Sequence, residues 1–68
     1  MTVNEKFWML NAMEVYGGSF VKNLGMAWRC AANDNSAKLE AAFPKLVEKY
    51  IKMGEQLKII EKRKEEGK

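Results

Sequence analysis

Six apolar residues in the second half of this 68-residue chain, Phe43, Leu46, Tyr50, Met53, Leu57 and Ile60, recur at alternating steps of three and four. That is the a/d spacing of helices that pack along their length. In so short a chain, a helix with so long a stripe finds little surface of its own to lie against. Part of the seam is therefore expected to be completed by a second copy or by a different protein, which makes these six the candidate self-association residues.

Size points the same way. A single core in a chain this small supplies only about 3–5 kcal/mol without further support. The one cysteine, Cys30, excludes a disulfide framework, and with no histidine and no second thiol a structural metal is not expected either. Oligomerisation or close helix packing remains. Hydrophobic residues make up 47% and charged residues 31%, the balance of a folded domain rather than a disordered tail. There is no basic segment leading into an apolar one at the N-terminus and no run of about 18 apolar residues, so neither a secretory signal nor a transmembrane helix is expected. The expected setting is the cytoplasm, where Cys30 reads as a small buried or half-buried residue with only Arg29 nearby to activate its thiol.

Local signals divide the chain. Thr2 followed by Glu5 has the form of a capping box, and Phe7, Trp8, Leu10, Met13, Val15 and Tyr16 give a first helix. Gly17 and Gly18 end it, with a glycine expected in the left-handed conformation and Ser19 expected to cap the next helix. That second helix runs from about Phe20 to Ala32, with Phe20, Val21, Leu24, Ala27, Trp28 and Ala31 on one broad face. Gly25 inside it marks an expected close approach of another backbone. Asn33, Asp34, Asn35 and Ser36 read as a break. Pro44 interrupts the next helical stretch: either a short turn of helix from Ala37 to Ala42 precedes a separate last helix starting at Pro44, which is the favoured outcome, or one helix bends there. The expected fold is all-α: a single domain over residues 1–68, built as a three-helix unit from a helical hairpin and a long C-terminal helix broken at Pro44, with residues 64–68 as a frayed tail and oligomerisation through the seam.

Charge narrows the function classes. The chain carries 12 basic and 9 acidic residues. The first 35 residues balance at three each, so the net charge of +3 lies entirely in the remainder. Lys45, Lys49, Lys52, Lys58, Lys62 and Arg63 would be the phosphate contacts of a nucleic-acid-binding module, but they alternate with Glu48, Glu55 and Glu61 and read as a solvated face. A helix-turn-helix reading leaves only Lys38 and Glu40 to meet base edges before Pro44. Catalysis is not expected: no histidine is present, Ser19 has no base beside it, and Gly17-Gly18-Ser19 lacks the longer glycine pattern of a phosphate loop. No cofactor is implied. An oligomeric binder of an anionic nucleotide, held between subunits by basic and aromatic side chains, is a further alternative.

The first helix offers a second candidate interface. Phe7, Trp8, Met9 and Leu10 are four consecutive apolar residues, and one helix cannot turn all four toward one core. Trp8 and Met9 suit an adaptable binding patch and are the candidate partner-binding residues.

The stretch from Glu14 to Ala32, with its Tyr16-Gly17-Gly18-Ser19-Phe20 corner, and the stretch from Ala37 to Tyr50, with its Phe43-Pro44 helix start, resemble small uncharacterised proteins encoded by bacteriophages and prophages. The resemblance covers about residues 5 to 55. It implies a bacterial cytoplasm as the working compartment and transfers no activity or site. Small accessory proteins of this kind often act by binding a host protein, including components of antiviral defence, so the expected function is protein–protein interaction without catalysis.

Overall fold

The computed structural model describes residues 1–66 and is all-α, with no strand among the described residues. Among the described residues four helices follow one another: α1 (Val3–Tyr16), α2 (Ser19–Cys30), α3 (Asn33–Ala42) and α4 (Pro44–Glu66). The segment before Pro44 is thus a full helix of ten residues, and the count of three principal helices is corrected to four. Lys64 to Glu66, expected to fray, continue α4, while residues 67–68 lie outside the described part.

The capping box at α1 is present. The Thr2 backbone N–H donates to Glu5 Oε1 at 2.8 Å, and the Glu5 backbone N–H donates to Thr2 Oγ1 at 3.0 Å. Hydrogen bonding from Thr2, its backbone first, holds the Glu5 carboxyl below its ordinary value.

The Gly17–Gly18 corner works differently from the expectation. Gly17 has φ −77°, and among the described residues none has positive φ. Its need for glycine is steric: a Cβ there would lie 2.4 Å from the Met13 carbonyl oxygen and 2.5 Å from Val21 Cγ1. Gly18, not Ser19, is the N-cap of α2, and Ser19 is the first helical residue.

Asn33 to Ser36 form the first turn of α3 rather than a break. The cause is tertiary. Trp28 is fully buried, and its indole N–H donates to Ser36 Oγ at 2.9 Å, which draws Ser36 into the core at the start of the helix. Asp34 in the first turn also suits the positive end of the helix dipole. Ser36→Ala would leave the indole N–H buried without a partner, at a cost of about 1–3 kcal/mol. The expected drop in urea midpoint should largely vanish when Trp28→Phe is already present, which a double-mutant cycle would read directly.

At Pro44 the break is as read from sequence. Phe43 sits at φ −128°, ψ 58°, outside helical geometry, because the proline ring excludes the α conformation for the residue before it. Val47 donates its backbone N–H to Phe43 O at 3.0 Å, so Phe43 ends α3 and opens α4.

The core is centred on α1. Met9, Ala12 and Met13 are fully buried with Leu10 beside them, Trp28 closes one side, and Val47, Tyr50 and Leu57 of α4 close the other. α1 and α4 cross in near backbone contact at Gly54, where a Cβ would come within 2.6 Å of the Trp8 carbonyl carbon. The close approach expected at Gly25 is thus found at Gly54; at Gly25 the nearest atom to a Cβ would be at 3.4 Å, an ordinary contact. α2 and α4 both pack on α1, and among the described residues no Cα of α2 lies within 8 Å of one in α4.

Candidate functional site

The four apolar residues of α1 are divided by the helical period. At about 100° per residue, Met9 and Leu10 turn into the core, Phe7 turns out, and Trp8 falls at the boundary. Met9 is 0% exposed and is core, so its assignment to a partner surface is corrected: α2 and α4 both pack on its side of α1. Trp8 is half-buried and packs against the core with part of its ring at the surface.

Around Trp8 lies a groove between α1 and α4 of about 300 Å³, lined by Phe7, Trp8, Asn11, Val15, Leu57 and Glu61. Phe7 meets Trp8 edge to face, with ring centroids 5.3 Å apart, yet remains 52% exposed; Val15 is 60% exposed. A neighbouring cleft is lined by Trp8, Lys58, Glu61 and Lys62. Trp8 thus stands where these depressions and a third, lined also by Asn4, Glu5, Ile51, Glu55 and Lys58, meet, a position suited to an anchor. Sequence reasoning missed Phe7 and Val15 as surface residues, although Phe7, Asn11 and Val15 form a row at steps of four that shares one side of a helix.

Beside this groove, the Arg29 guanidinium donates to Asn11 Oδ1, on its rim, at 3.1 Å and to Glu14 Oε2 at 3.3 Å. This exposed tie between α2 and α1 is worth about 0–1 kcal/mol.

No family model, curated protein or solved structure matches this chain.

The seam of α4 is split between inside and outside. Tyr50 and Leu57 are buried in the core, so a second copy is not needed to cover them, and for these two the self-association reading is corrected. α1 occupies the surface that the sequence left open. Phe43, Leu46 and Met53 are half-buried, and Ile60 is exposed. Phe43 also meets the exposed Phe20 ring, with centroids 6.3 Å apart.

The six basic candidates do not form one track. Lys58 and Lys62 border the cleft beside Trp8, whereas Lys45, Lys49, Lys52 and Arg63 lie on the outward side of α4. Lys52 is within 3.5 Å of Glu48, and the Lys49 ammonium lies 5.5 Å from the Tyr50 ring centroid. Cys30 is exposed at the end of α2, not buried or half-buried as expected, because the core-facing side of that helix is taken by Val21, Leu24, Gly25 and Trp28. Among the described residues, no group of three or more His, Cys, Asp or Glu is placed to hold a metal ion, and no helix is long and apolar enough to cross a membrane.

Proposed function

We propose that this chain is a non-enzymatic binding protein that engages a partner protein through the outward face of α1, with Trp8 as the anchor and Phe7 and Val15 beside it. The carrying observation is the α1–α4 groove, in which a half-buried tryptophan is flanked by two large apolar side chains more than half exposed. Fixed aromatic side chains at a surface lose little conformational freedom on binding, and tryptophan is enriched among the residues that dominate interface energies. Asn11 and Glu61 on the rim supply polar contacts around an apolar centre, the usual anatomy of such a patch.

The resemblance to phage-encoded proteins supplies the partner class: a host protein of the bacterial cytoplasm, a component of antiviral defence among the candidates. The full-length protein, immobilised and offered lysate of the bacterium that carries the gene, should enrich one such protein. Phe7→Glu and Val15→Glu, both at exposed positions, should each reduce that enrichment by about tenfold or more. Phe20→Glu, on an exposed position of α2, should leave it unchanged. Equal capture by all three variants would sink the α1 reading.

A further inference from the structure

α4 carries a second surface that the α1 groove does not explain. Tyr50 and Leu57, seven residues apart, point into the core; Leu46, Met53 and Ile60, also seven apart, fall one step around the helix and run from half-buried to 44% exposed. Seven-residue spacing along one edge is what a second helix laid lengthwise requires. Among the described residues, no Cα of α2 lies within 8 Å of one in α4. At about 1.5 Å per residue, the 23 residues of α4 extend well beyond the 14 of α1 and the 10 of α3.

The charges beside this row are sorted, although they look interleaved in sequence. At 3.6 residues per turn, Lys49, Gln56 and Arg63 border the row on its solvent side, with Lys45 next to them, and all four are exposed. Glu48 and Glu55 lie more than about 120° around the helix from the row. Glu61 lies on the other side, lining the α1 groove. The Lys49 ammonium leans over the Tyr50 ring, which brings its charge to the margin of the apolar row.

We propose that this edge of α4 receives an acidic amphipathic helix of a partner protein, whose apolar stripe packs on Leu46, Met53 and Ile60 and whose carboxylates meet Lys49 and Arg63. A second copy fits less well, because it would set one basic rim against another. Nucleic acid would use the cations and leave the apolar row unused. The inference rests on the reading that the chain works by binding protein, and it adds a surface and a partner chemistry to that reading.

The test is binding of a labelled three-heptad peptide with Leu at a and d and Glu at e and g, followed by fluorescence anisotropy at low and high salt. The control peptide carries Lys at e and g. The glutamate peptide should bind, with affinity falling as salt rises, and the lysine peptide should not. Lys49→Glu with Arg63→Glu should weaken binding by about tenfold or more, as should Ile60→Asn, with helix content unchanged by circular dichroism. Phe7→Glu should leave peptide binding intact, so loss of the α1 interaction and loss of the α4 interaction are read separately. Equal binding of the two peptides, or binding of neither, overturns the proposal. Equally tight binding of a DNA duplex or of anionic vesicles, abolished by the same charge reversals, would reassign the surface to that partner. A doubled mass by light scattering that Ile60→Asn returns to the monomer value would reassign it to a second copy.

Discussion

Gly54→Val should unfold this protein at room temperature, whereas Gly25→Ala, also in a helix interior, should raise its melting temperature. At Gly54 the atoms in the way are backbone: a Cβ would lie 2.6 Å from the Trp8 carbonyl carbon, 2.7 Å from its oxygen and 2.9 Å from the Met9 nitrogen. No rotamer change relieves such a clash, so α1 and α4 must separate, and the core to which Met9 and Met13 of α1 and Tyr50 and Leu57 of α4 belong is opened. Overpacking costs typically about 1–3 kcal/mol and more where backbone must move. A single core of this size supplies about 3–5 kcal/mol in total, and a clash with backbone that costs more than the usual overpacking range exhausts it. Gly54→Ala is the finer probe. Its helix-propensity gain of about 1 kcal/mol opposes the clash, and a net loss of about 1–2 kcal/mol is expected. At Gly25 the nearest atom to a Cβ is Met13 Cβ at 3.4 Å, so alanine fits and the propensity gain survives. That gain of about 0.5–1 kcal/mol corresponds to a rise of several degrees in a domain this small. Thermal melts of the two alanine variants should therefore move in opposite directions. A Gly54→Ala protein as stable as the parent would mean that α1 and α4 can part without disturbing the core.

The two glycines also show what a sequence can disclose here. Gly25 and Gly54 look alike in their helices, and the difference between them is a contact with Trp8, a residue far away in the chain. Signals that act over three or four residues were legible: the Thr2–Glu5 capping box and the Phe43–Pro44 break both stand as read, because their physics is local. Asn33 to Ser36 carried an equally clear local signal for a turn, and it was overridden by the bond from Trp28 to Ser36, which no local pattern contains. Met9 and Phe7 exchanged roles for a related reason. Four consecutive apolar residues require that some face outward, but which ones depends on where α2 and α4 come to rest. The sorting of charge on α4 is different in kind. It follows from the helical period alone, and reading the lysines and glutamates as a linear alternation concealed that Lys45, Lys49 and Arg63 share a side from which Glu48 and Glu55 are turned away.

Leu57→Glu decides between the two uses of the α4 seam. As a residue between copies, Leu57 could take a charge and leave a folded monomer of full helix content, which is the outcome its sequence position suggests. In this structure it is 6% exposed and belongs to the core beside Met9, Met13 and Tyr50. Replacement removes a buried leucine, at about 2–5 kcal/mol, and places a carboxylate at a position that is only 6% exposed. Either effect alone approaches the stability available to a single small core. The variant should accordingly lose its helical circular dichroism signal and its cooperative melt, with no folded monomer as the product. Ile60→Glu, three residues further along the same helix and 44% exposed, should keep the fold and melt within about 1 kcal/mol of the parent. The contrast separates seam residues that α1 has claimed from those still open to a partner. If Leu57→Glu instead stays fully helical and only its mass in solution falls, then Leu57 is covered by another copy, and the α1–α4 packing is made between chains rather than within one.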